Sequence, residues 1–257
     1  MVTDLTFPAI RVQDLRVIFH NGNGGLHALE RLSFDVWPQE FVCVLGPSGS
    51  GKSTLLRILA GLLSPTEGDV LINGLLLGGP RREVGLVFQK SNLMPWRTVV
   101  QNITLPLELQ GVDRSQAARQ AQEMVELVGL QGFEDTLPRD LSGGMAQRVA
   151  IARALIHDPE VLLLDEPFGS LDALTRERMG SELLRIWQRR RKTVLMVTHD
   201  VSEALFLADR VLVLSQRPGQ LKLDLKVELP RPREDGMRYI PIFGDMARQV
   251  RAAIGEA

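Results

Sequence analysis

A single cysteine, Cys43, stands in 257 residues, so no internal disulfide is possible and a reducing compartment is the expected setting. Neither sign of charge is in excess. Thirty Lys+Arg against 31 Asp+Glu give a formal net charge of −1, which argues against nucleic acid as a partner. No apolar run approaches the ~18 residues of a membrane-spanning helix. The opening MVTDLTFPAI lacks the basic-then-apolar order of a secretion signal. Internal repeats and low-complexity blocks are missing too. What is there, 44% hydrophobic and 24% charged residues, is ordinary globular usage, in a length that suits one large domain or two small ones. A soluble, cytosolic protein is expected.

Two alternating stretches, Ile10–Phe19 and Leu29–Val36, flank the turn-rich Asn21–Gly25 and predict antiparallel strands. Short apolar runs follow at Phe41–Leu45, Val84–Phe88, Val161–Asp165, Thr193–Thr198 and Arg210–Ser215. Their alternation with helical stretches predicts an α/β fold with a mainly parallel sheet. One helix is expected over Lys52–Ala60, closed by Gly61, and another from about Gly144 to Ile156. Ala117, Ala121, Met124 and Val128 form a single apolar stripe that Gly129 ends. Residues of about 91–159 therefore read as a helical insertion, and about 216–257 as a short tail with a terminal helix.

Gly46-Pro47-Ser48-Gly49-Ser50-Gly51-Lys52-Ser53 fits G-x-x-x-x-G-K-[ST] between a predicted strand and a predicted helix. Such a loop turns backbone N–H groups inward around phosphate oxygens, and the helix N-terminus adds the positive end of its dipole. Lys52 would reach the β- and γ-phosphates, and Ser53 would offer a hydroxyl to Mg²⁺. A glycine-rich turn without a ligand is the plainer alternative. Asp165 and Glu166 end an apolar strand, at the edge where α/β sheets take ligands. Asp165 suits Mg²⁺ through water, and Glu166 suits the water that attacks the γ-phosphate. His199, just past another strand, could reach the same phosphate, whereas His20, His27 and His157 read as caps or surface residues. Leu141-Ser142-Gly143-Gly144-Met145-Ala146-Gln147 opens a helix with Ser142 as its N-cap, either to approach an anion or simply to cap.

Together with Gln89 and Ser170-Leu171-Asp172, these pieces resemble, in order, the ATP-binding subunit of an ABC transporter over about residues 10–215. The resemblance implies a P-loop NTPase core, an N-terminal antiparallel β subdomain and an inserted helical subdomain, one ATP-binding domain over residues 1–257. It implies two ATP molecules held between two such subunits, each under one subunit's phosphate loop (Gly46–Ser53 and Thr54) and the other's Ser142, Gly143 and Gly144. Asp172 would cross that dimer, identical or mixed. Gln89, with Ser53 and Asp165, would hold Mg²⁺. Lys52, Gln89, Glu166 and His199 would be the catalytic set. Phe19 would stack on adenine, unless it is a core residue of the first strand.

The segments Leu93–Val99, Asn102, Leu105–Glu108, Leu171–Arg176, Asp209–Val211 and Arg217–Gly219 are similar to the nitrate, sulfonate and taurine import branch, which also includes bicarbonate uptake. That likeness implies a separate membrane permease, a solute-binding protein acting through it, and a peripheral place on the cytoplasmic face of the inner membrane. An exporter ATPase, or a soluble relative acting on nucleic acid or ribosomes, is the alternative. The second lacks support in this single cassette without heptads or basic excess. A degenerate binding module should lack one of Lys52, Asp165, Glu166 or His199, and all four are present. The segment Ser91–Val100 is expected to meet the permease through Leu93, Met94, Pro95 and Trp96, unless Leu93 and Trp96 pack inward.

Overall fold

The computed structural model describes residues 7–19 and 25–255. His20 and the turn over 21–24 lie outside the described residues. The chain divides into two compact units, Met1–Arg81 with Lys192–Ala257, and Arg82–Arg191.

In the first unit β1 (Ile10–Phe19) pairs antiparallel with β2 (Leu26–Val36), as the alternation required. Inward residues such as Val12, Leu15, Leu29, Leu32 and Val36 are buried. β4 (Glu67–Ile72) joins the other edge of β1, and the two-residue β5 (Leu75–Leu76) follows it, giving the order β2-β1-β4-β5. Beside these strands β3 (Phe41–Leu45) is buried at every residue and lies parallel between β8 (Thr193–Val197) and β9 (Arg210–Leu214). A strand covered on both faces reads as a continuous apolar run, which is why these three were visible in the sequence. Helix α1 (Lys52–Leu59) starts directly after the glycine-rich loop.

The stretch expected to be a tail is built into this unit. Leu221–Lys226 forms β10, antiparallel to β9. Helix α7 (Pro241–Ile254) buries Phe243, Met246 and Val250, and it packs on α6 (Val201–Leu207), β9 and β10.

In the second unit β6 (Val84–Val87) and β7 (Val161–Asp165) are parallel neighbours. Its helices are α2 (Val99–Leu109), α3 (Arg114–Leu127), α4 (Gly143–Leu155) and α5 (Ala173–Arg190), so helical texture continues past residue 159. Ala117, Ala121, Met124 and Val128 are all buried, as one apolar face demands. Among the described residues no helix is long and apolar enough to cross a membrane.

Candidate functional site

Strand register decides which side chains meet. In the first unit Val44 of β3 is level with Val197 of β8, and the Thr198 N–H donates to the Val44 carbonyl at 3.2 Å. The glycine-rich loop begins two residues past Val44 at Gly46, and His199 stands two residues past Val197. Both leave the same C-terminal edge of the sheet, the edge that binds ligands in α/β folds.

The loop 46–53 is tied to itself and to its surroundings. Ser50 N–H donates to the Pro47 carbonyl at 3.2 Å, and Leu55 N–H to the Gly51 carbonyl at 2.8 Å as α1 begins. Gly51 has φ +92°, and a Cβ there would stand 2.8 Å from the Ala28 carbonyl oxygen, so only glycine fits. Lys52 is 7% exposed. Its Nζ donates to the carbonyls of Gly46 at 2.7 Å and Pro47 at 2.9 Å, and to Ser50 Oγ at 3.4 Å. The ammonium is thus held at the mouth of its own loop by acceptors that phosphate oxygens could replace. Ser48, Gly49 and Ser53 are exposed, while Pro47 and Thr54 are half-buried.

A neighbour that sequence reasoning gave no role is Arg217, whose Nε donates to the Gly49 carbonyl at 3.3 Å. Gly219 follows it against the loop, where a Cβ would meet the Ser50 carbonyl oxygen at 2.1 Å. The Arg-Pro-Gly turn after β9 was the available signal. Phe19 ends β1 with 38% of its surface exposed, which removes the alternative of a core residue. Cys43 is fully buried and unpaired among the described residues, its thiol pushed well up by burial, as a small hydrophobe would be.

His199 is exposed on its own turn, and its neighbours are tightly fixed. Thr198 Oγ1 donates to Glu203 and accepts from the Asp200 N–H at 3.1 Å. Asp200 Oδ1 accepts from the Glu203 N–H at 2.9 Å and so caps α6.

The second unit repeats the construction. Val87 of β6 is level with Leu164 of β7, and Gln89 and Glu166 each stand two residues further on. Gln89 Nε2 donates to Glu166 Oε2 at 3.4 Å. Glu166 has φ +42°, a left-handed backbone that a non-glycine residue adopts at a cost of order 1–3 kcal/mol. Such strain collects where a side chain must be aimed. Asp165 is half-buried at the end of β7.

Ser142 caps α4, its Oγ accepting from the Met145 N–H at 3.3 Å, so the capping expectation is met. Ser142 and Gly143 are exposed and Gly144 is buried. Gln147, 4% exposed, donates through Nε2 to the Phe88 carbonyl at 3.3 Å, next to Gln89. Arg153, further along α4, donates to the carbonyls of Ser91 at 2.7 Å and Asn92 at 2.9 Å. Fully buried Asn102 accepts from the Met94 N–H at 2.7 Å and donates to the carbonyls of Met94, Arg97 and Thr98. These ties hold the whole segment after Gln89 to α4 and α2. Asp172, exposed, caps α5 by accepting from the Thr175 N–H at 3.0 Å. Hydrogen bonding from Thr175 lowers the pKa of its carboxyl.

Trp96 is 73% exposed, so it is not a core residue. It borders a groove of about 690 Å³ lined also by Val100, Thr104, Val112 and the Arg97–Glu108 ion pair at 2.8 Å.

The family model described as "ABC transporter" matches residues 29–169. The nitrate import ATP-binding protein of Synechocystis is 48% identical over 88% of this chain and 85% of its own. The aliphatic sulfonates import ATP-binding protein of Bacillus cereus is 43% identical over 87% and 88%. A solved cassette, described as the dimeric structure of a post-hydrolysis state bound to ADP and Pi, covers 86% of this chain and all of its own at 32% identity, with a TM-score of 0.75.

Proposed function

Since the chain belongs to the ABC transporter family and is an ATPase of that kind, we propose that it powers import of a small oxyanion, of the nitrate or sulfonate class, through a separate membrane permease. One observation carries the coupling. A single pinned segment has Gln89 against Glu166 at one end and the exposed Trp96 beside an open groove at the other. A change at the γ-phosphate and a force on the permease would share that segment.

In this reading the phosphate loop takes the β- and γ-phosphates, and Lys52 exchanges the carbonyls of Gly46 and Pro47 for their oxygens. Charge-assisted bonds of that kind are worth roughly twice a neutral one. Phe19 lies flat on adenine without reading the base. Glu166 orients the attacking water and Gln89 shares its hold, while His199 donates to the γ-phosphate. Ser53, Gln89 and Asp165 offer hydroxyl, amide and carboxylate oxygens, a hard donor set that fits Mg²⁺. When bound there, Mg²⁺ supplies neutralisation of phosphate charge. Ser142, Gly143 and Gly144 at the start of α4 present N–H groups and the dipole end to the ATP of a second subunit, and Asp172 contacts that subunit. The dimeric state of the ADP-bound cassette supports this pairing. A peripheral position on the cytoplasmic membrane face follows from the permease.

The test is uptake in vesicles that hold the permease, its solute-binding protein and this chain. ATP-driven accumulation of nitrate or an alkanesulfonate, lost in Glu166→Gln, is the expected result. ATP turnover with export of solute would overturn the import reading.

A further inference from the structure

The segment after β10 bears three arginines in eight residues, Arg231, Arg233 and Arg238, and three observations tie them to α6. Arg231 donates to the Leu207 carbonyl at 2.7 Å and to Asp209 Oδ1 at 2.7 Å. Arg233, 8% exposed, donates to the carbonyls of Leu205 at 3.1 Å and Ala208 at 3.0 Å. Arg238 lays its guanidinium over the Phe206 ring, 3.7 Å from the centroid, and donates to Ser202 Oγ at 3.3 Å. The last carbonyls of a helix have no partners of their own and carry its negative dipole end, so the half-buried Arg231 and the buried Arg233 there form a strong clamp. Burial pulls the Arg233 pKa down to about 10, which leaves it charged at neutral pH.

The other end of α6 is fixed by Thr198, Asp200 and Glu203, the residues on either side of His199 and the first turn of the helix. With seven residues, α6 is two turns long and moves as one body. We propose that the C-terminal segment is a clamp that sets the position of His199 through α6, so that Arg231, Arg233 and Arg238 are positioning residues for ATP hydrolysis. This rests on the reading of His199 as the γ-phosphate contact. A merely stabilising tail would need burial of apolar residues such as Phe243 and Met246, and it would have no need of three guanidiniums on one short helix.

The test uses the full chain. Arg231→Met and Arg238→Ala should each lower kcat about three- to tenfold while ATP-analogue affinity stays within twofold, since coupling through a packed element is worth this much. Arg231→Lys, which keeps a donor and the charge, should recover at least about half of the rate. In a His199→Ala background, single-turnover phosphate release should show no added loss from either arginine change, because residues acting through one group are not additive. Unchanged kcat in the folded variants would overturn the clamp, as would losses that multiply in full on the His199→Ala background. Should Arg231→Met fail to fold, Arg238→Ala decides alone, since it takes away the guanidinium on Ser202 and Phe206 and leaves the carbonyls at the end of α6 with Arg231 and Arg233. Normal turnover by His199→Ala on its own would instead sink the reading of His199.

Discussion

The loop after β3 and the loop after β7 begin from the same strand geometry and end as opposite devices. In the first, Lys52 is buried and bonded to the carbonyls of Gly46 and Pro47 within its own loop. In the second, Glu166 is half-buried on a left-handed backbone, with the exposed Gln89 touching it at 3.4 Å. A cradle that satisfies itself is ready to hold an anion at little reorganisation cost. A strained carboxylate is suited to be aimed, and only in company. The self-bonded cradle and the strained carboxylate thus belong to different compact units, the first to Met1–Arg81 with Lys192–Ala257 and the second to Arg82–Arg191.

The hardest test of that division is Glu166→Gln. It should lower steady-state ATP hydrolysis by about 10²–10⁴-fold, the usual contribution of a positioned base, and leave nucleotide affinity unchanged. ATP should then hold two chains together, visible as a dimer by sizing. Turnover near the wild-type rate would remove Glu166 from the mechanism. Lys52→Ala acts on the other side of the contrast. It should weaken ATP binding by roughly 10- to 100-fold, the worth of a charged hydrogen bond, as titration with a fluorescent analogue would read. If Lys52→Ala bound ATP normally and merely failed to hydrolyse it, the separation of the two loops would collapse.

A smaller effect tests whether a site needs two chains. Ser142→Arg places a bulky cation at the start of α4, and it should block the second subunit's nucleotide while sparing its own. Mixed with Lys52→Ala, it can form one intact composite site per heterodimer. ATPase activity should then exceed that of either variant alone, up to about a quarter of wild type when half the dimers are mixed and each site counts separately. No recovery, with ATP-driven dimerisation of Ser142→Arg intact, would leave Ser142 as only the helix cap already seen.

How much of this was legible depended on how deeply each element is buried. The interiors of β3, β7, β8 and β9 are continuous apolar runs, and their ends were readable to within a residue. β4 begins Glu-Gly-Asp, poor strand formers held by the edge of β1, and it left no local signal. α2 carries Pro106 in its interior, which argues for a break, yet its Thr98–Gln101 capping box and the buried Val99, Ile103 and Leu107 hold it. β10 alternates Leu-Lys-Leu-Asp-Leu-Lys in plain period two, a signal obscured by the Pro- and Arg-rich stretch that follows. For the site, motifs could name Gln89, Glu166, Ser142 and Lys52. They could not show that Gln147, Asn102 and Arg153 pin the segment between Gln89 and Trp96, because those bonds go to backbone carbonyls up to 62 residues away.

That segment sets the smallest effect on the molecule itself and the sharpest on its partner. Had Trp96 been core, Trp96→Ala would cost ~3–5 kcal/mol and lost transport would follow from lost fold. With 73% of its surface exposed, truncation should change stability by no more than ~0.5 kcal/mol. The backbone around it is held by Asn102 and Arg153, neither of which needs the indole. ATP affinity and basal hydrolysis should therefore stay near wild type. A large aromatic beside an open groove is, by contrast, the kind of residue that dominates an interface, where truncation costs ~2 kcal/mol or more. Permease association should fall about thirtyfold in a pull-down titration, and solute uptake should fall with it. A melting temperature lowered by several degrees would return Trp96 to the core. An unchanged melting temperature with full permease binding would move the docking surface elsewhere on the chain.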